Sequence, residues 1–187
     1  MRFRLAALCL AAASAALSAC ATGPDPVGEV RAKAWDQVRD RTDVTRLGLS
    51  TLRVEAQTPL LGSTDDMEAA MLTRAAGEAV ALEAPRFAIT FVDYEEQSLG
   101  ALRLSTPEAG WIGTYEDLLE ARAEAGVGEG VGLRRVTAVV RLLGADEEAD
   151  RQAFQSEAVY ELLLQDRIDR KDVKPGRRLR LPRLRFE

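Results

Sequence analysis

Residues 63–93 read STDDMEAAMLTRAAGEAVALEAPRFAITFVD, and the change of period inside them sets the fold class. Ser63 and Thr64 offer a hydroxyl cap. Asp65 and Asp66 follow, where the free N–H groups and dipole of a helix start favour carboxylates. Leu72, Ala75, Ala76, Ala79 and Leu82 then share one face of a helix running to about Glu83, and Pro85 stops it. That stripe is mostly small, which suits a helix lying close on a sheet. From Arg86 to Asp93 the period becomes two. Phe87, Ile89 and Phe91 lie on one side of a strand, and Ala88, Thr90 and Val92 on the other.

The flanking chain repeats the same vocabulary. Upstream, residues 27–41 carry Val30, Ala34, Trp35 and Val38 at helical spacing, and 47–56 alternates as a strand that Thr58-Pro59 breaks. Downstream, 98–104 can pair back on the Phe87 strand, and 114–125 has a short helical pattern. Residues 136–143 are apolar on both faces, which predicts a central strand. Asp146 to Asp150 is expected to open a second long helix reaching about Arg167, with Phe154, Ala158, Val159, Leu162 and Leu163 turned inward. Lys174-Pro175-Gly176 is a turn, and 178–186 is extended. The order strand, helix, strand, strand, helix predicts an α+β fold. It is one small antiparallel sheet with two main helices packed on one face, after a cleaved signal peptide and a short tether.

The N-terminus decides the destination. Met1-Arg2-Phe3-Arg4 is a short positive segment, and Leu5 to Leu17 is apolar. This run is shorter than the roughly 20 residues that a bilayer-spanning helix needs, and it fits the apolar centre of a signal peptide. Leu17-Ser18-Ala19-Cys20 resembles the lipobox of bacterial lipoproteins. The resemblance implies that signal peptidase recognises Leu17, Ser18 and Ala19, cuts before Cys20, and leaves that cysteine carrying lipid. Several acyl chains on one residue are enough for stable anchoring, where a single chain is marginal. Ala21 and Thr22 follow, with no Asp at position 21. By resemblance to lipoprotein sorting signals, this implies transfer to the outer membrane, facing the periplasm. The expected organisation is signal peptide over 1–19, lipidated cysteine and tether over 20–34, α+β domain over 35–174, and basic tail or edge strand over 175–187.

Composition excludes whole classes of chemistry. The chain has no histidine, so Ser-His-Asp triads, Cys-His dyads and His-bound zinc are out. Of its two cysteines, Cys9 lies in the signal peptide and Cys20 takes lipid, which leaves no thiol or disulfide in the domain. Lysines are confined to Lys33, Lys171 and Lys174, so a Ser-Lys mechanism has little to draw on. What survives is a carboxylate pair or an oxygen-ligated cation. Net charge is −5, yet positive charge is concentrated from Arg167 onward.

The sharpest candidate is that basic end. In 177–186, Arg177, Arg178, Arg180, Arg183 and Arg185 alternate with apolar residues. As a strand this presents guanidinium groups on one side, suited to phosphate or carboxylate of an envelope protein or anionic polymer. The competing reading is an edge strand that uses Arg and Pro182 to block aggregation. Nucleic acid is not an expected partner, because export removes the chain from it and stacking aromatics are absent. Asp146-Glu147-Glu148-Ala149-Asp150 could ligate Ca²⁺ but lacks the alternating pattern and turn glycine of a calcium loop, so it reads better as a helix N-terminus. Asp93-Tyr94-Glu95-Glu96 reads as turn charge at a strand end rather than an acid–base pair. Gly126 to Gly132 has helical pattern before it and a strand after it, the reverse of a phosphate loop. Trp35 and Trp111 read as packing anchors. No catalytic residue, metal or cofactor is expected.

Leu72-Thr73-Arg74-Ala75-Ala76, continuing through Leu82-Glu83 to Phe87 and Asp93, resembles a segment of small uncharacterised alphaproteobacterial lipoproteins. The helix at 153–164 has a counterpart there too. Gly77 and Ala84-Pro85 depart from the pattern, which has Glu and a Gly-Tyr turn. The resemblance implies an α+β envelope protein and brings no catalytic residues. The function expected is therefore that of a non-catalytic binding or structural lipoprotein. The alternatives are a carboxylate- or metal-dependent hydrolase of an envelope polymer, or an accessory subunit of an envelope assembly machine.

Overall fold

A computed structural model describes residues 26–57, 63–98, 101–104, 108–127, 133–147 and 150–172. The elements run α1 (Pro26–Arg39), β1 (Thr42–Arg46), β2 (Thr51–Gln57), α2 (Thr64–Ala81), β3 (Arg86–Ser98), β4 (Ala101–Leu104), β5 (Glu108–Ile112), α3 (Tyr115–Glu124), β6 (Leu133–Leu143), β7 (Phe154–Gln155) and α4 (Ser156–Asp172). This is the expected α+β arrangement. The strands form one sheet of order β1-β2-β6-β3-β4, with β5 and β7 also on β3, and every pairing is antiparallel. As its apolar run predicts, β6 is central.

The sheet is one-sided. Leu52, Val54 and Ala56 of β2 stand opposite Val140, Ala138 and Val136 of β6, and all six are buried. The alternate positions carry Arg53, Glu55, Arg135, Thr137 and Arg141, none of them buried. On that face Arg53 pairs with Glu55, Arg135 with Glu95, and Arg141 with Glu147.

Helix α2 lies across the inner face, touching β1, β2, β3 and β6, and α4 packs on α2 with α1 beside it. Being sandwiched, α2 is buried almost all round. Its predicted stripe of Leu72, Ala75, Ala76 and Ala79 is buried, and so are Met67, Ala70 and Met71. The Ser63 hydroxyl accepts from the Asp66 amide at 3.1 Å, as the cap reading requires. The helix ends at Ala81, and Glu83 turns the chain in the left-handed region at φ 55° ahead of Pro85. Leu82 lies past that end and is largely exposed. At Gly77 a Cβ would overlap the Trp35 ring, so glycine is what lets α1 sit close on α2. Trp35 meets Tyr160 of α4 edge-on at 5.4 Å and holds the Arg74 guanidinium over its ring.

Three expectations change. First, residues 47–50 form the turn of a β1–β2 hairpin, so the strand expected from 47 starts at Thr51. Second, the described residues of this stretch, Asp146, Glu147 and Asp150, are not helical. Glu147 pairs with Arg141 at 2.7 Å, and the Arg86 guanidinium donates to the carbonyls of Gly144, Ala145 and Glu147. Arg86 of β3, distant in sequence, and Arg141 of the preceding β6 thus answer groups of Glu147 that a helix would otherwise use. Third, α4 starts at Ser156, which moves its inward face to Val159, Leu163 and Leu164 while Ala158 and Leu162 face out. Phe154 is buried as expected, but from β7, stacked on Phe87 at 5.1 Å.

Candidate functional site

The N-terminal end of α2 carries three acids, Asp65 and Asp66 in its first turn and the buried Glu68 just beyond it. Asp65 and Glu68, three residues apart, share one face of the helix, and Asp66 leaves it on another. Glu68 is fully buried. The Tyr94 hydroxyl donates to its Oε1 at 2.8 Å, and Arg122 of α3 donates to its Oε2 at 3.0 Å. The same Arg122 nitrogen reaches Asp65 at 2.8 Å. Burial pushes the Glu68 carboxyl up to about 7, although Arg122 and the Tyr94 hydrogen bond pull it back. Burial likewise raises Tyr94, and it pushes Tyr115 up to about 12, helped by the negative charge of Glu68 and Asp65.

A carboxyl near 7 lies in the range for proton transfer. Glu68 has no exposed surface, and both oxygens are occupied by buried partners. The arrangement joins β3, α2 and α3 as an internal clasp.

Asp66, on the other side of the helix, faces a cleft of about 270 Å³ between α1, α2 and α4. Arg170 is held there between Asp66 and Asp166, each at 2.6 Å. Gln37, Arg41 and Arg167 complete the polar lining. Arg167 makes no hydrogen bond or ion pair among the described residues. Burial lowers its pKa, and the nearby Arg41 guanidinium lowers it further. These residues come from two ends of the chain. The only hint in the sequence was the density of positive charge beginning at Arg167.

The residues singled out by sequence are scattered. Leu17, Ser18, Ala19, Cys20 and the tail Arg177, Arg178, Arg180, Arg183 and Arg185 lie outside the described residues. Asp93-Tyr94-Glu95-Glu96 is not a turn. Pairing with β6 carries β3 through Glu96 and pairing with β4 carries it on to Ser98, so Tyr94 points into the clasp and Glu95 faces Arg135 at 3.8 Å. Gly126 follows α3 in the left-handed region at φ 74°, and Gly128 to Gly132 lie outside the described residues. The Trp111 indole donates to the Gln152 carbonyl at 2.6 Å beneath the Arg151 guanidinium, and Trp35 packs as above, so both serve as anchors. Among the described residues no cluster of three acids could hold a metal, and no helix is long and apolar enough to cross a membrane. The chain matches no protein-family model and no curated protein.

Proposed function

We propose that the protein is an envelope lipoprotein, cut before Cys20 and held by lipid on that cysteine at the outer membrane, facing the periplasm. Its folded domain acts by contact, as a non-catalytic binding or structural component. The observation that carries this reading is Leu17-Ser18-Ala19-Cys20 directly after the apolar run. Helix α1 begins at Pro26, a few residues later, which would hold the domain close to the bilayer. Glu68, the carboxyl raised into the range for proton transfer, is sealed from solvent and so offers the hydrolase alternative no general acid at the surface.

The test is Cys20→Ala. Radiolabelled palmitate should enter the parent chain and not the variant, and the variant should leave the membrane fraction. Lipid label persisting on the variant would refute the anchor. Cross-linking in intact cells, comparing the full chain with one ending at Lys174, then addresses the contact. A partner captured only by the full chain assigns it to the basic tail, and the same partner with both assigns it to the domain.

A further inference from the structure

The cleft between α1, α2 and α4 is where positive charge is left unanswered. Its two carboxylates are committed, because Asp66 and Asp166 both bind Arg170. Arg41 and Arg167 line the same cleft without an ion pair among the described residues. Two guanidinium groups facing one partly enclosed space repel each other, and arginine cannot relieve the repulsion by losing its proton. The lining carries three positive and two negative side chains, so the missing charge is negative.

We propose that this cleft binds a phosphate group, free or terminal on a larger molecule, between the guanidinium groups of Arg41 and Arg167. The arginine fork matches phosphate oxygens, and a tetrahedral phosphate presents enough oxygens to engage two forks at once, where a carboxylate presents two. Gln37, whose side chain carries a neutral amide donor, lines the same cleft. The cleft, at about 270 Å³, accepts a phosphate head and little more, so the rest of the ligand extends into solvent. Such a group reaches the site as free phosphate or as the head of a lipid. The site needs no lipid on Cys20, so it stands or falls apart from the anchor.

The experiment uses the full chain in neutral detergent and inorganic phosphate as the probe, with binding read by ³¹P line broadening. Saturable broadening is expected, weakened about tenfold or more in Arg41→Gln/Arg167→Gln, the scale of losing charge-assisted hydrogen bonds. Arg53→Gln on the open sheet face should bind like the parent. Neither cleft arginine has an ion pair to lose, so circular dichroism should show the double variant folded. No saturable binding by the parent, equal binding by the double variant, or equal loss in Arg53→Gln would overturn the site. Adding dihexanoyl phosphatidic acid to the micelles separates the sources. Displacement of phosphate shows that a lipid head enters the cleft, and binding without displacement restricts it to soluble phosphate.

Discussion

Glu68 makes the interior sensitive to pH, and the sign follows from its environment. Its carboxyl titrates near 7 in the folded chain against 4.5 for a free side chain, because burial disfavours the charge. Its contribution to stability is therefore fully present below about pH 4.5 and is lost as pH rises through 7, on the order of 3 kcal/mol in all. Glu68→Gln keeps the shape of the protonated form and removes the titration. Urea melts of the two proteins should show the parent losing stability relative to the variant between about pH 5 and 8. A parent that gains on the variant over that range would contradict the assignment. Two glycines make a second comparison. A Cβ at Gly113 would overlap the Gln152 carbonyl, which is backbone and cannot swing aside, whereas nothing lies within 4 Å of one at Gly110. Gly113→Ala should cost about 1–3 kcal/mol, as overpacking does. Gly110→Ala should be close to neutral by the same thermal melt.

Helix α3 depends on its cap, the residue just before it. Thr114 caps the Asp117 amide at 3.1 Å, and the Asp117 carboxylate accepts from the amides of Thr114 and Gly113 at 2.9 and 3.1 Å. Thr114→Ala should lower stability by about 1 kcal/mol in thermal unfolding. Because α3 carries Arg122, the variant should also loosen the clasp at Glu68. Elements with local signals were legible in the sequence. Ser63 and Pro85 bracket α2, alternation marks β2 and β3, and α1, α3 and β6 fall where periodicity puts them. Elements without such signals were missed. Strand β1 has one apolar residue, Val44, and exists because β2 pairs with it. Strand β7 is two residues long and is held by Phe87 and Arg86, far away in sequence. The acids at 146–150 have the composition of a helix start, but Arg86 takes the Glu147 carbonyl and Arg141 its carboxylate. The clasp and the cleft were illegible for the same reason. Each joins residues from several elements, so no spacing along the chain records it, and Tyr94 sat in a stretch that read as turn charge.

Across the whole molecule, stability should rank by position in the sheet. Strand β6 is bonded on both sides, to β2 and β3, whereas β1 has β2 alone. Amide hydrogen exchange should be slowest in β6, near the rate of global unfolding, and clearly faster in β1. Equal protection in the two strands would mean that the sheet opens only as a unit. The route of the chain into that sheet has a mechanical consequence. The first described element, α1, leads at once into the edge strand β1, and α1 is seated on the rest through Trp35, Ala34 and Val38. A tensile load applied at Pro26 would meet the domain at its periphery, peeling α1 and then β1 before β2 and β6 carry any force. Under tension the chain would lengthen in steps from that end, leaving the inner strands as the last part to yield.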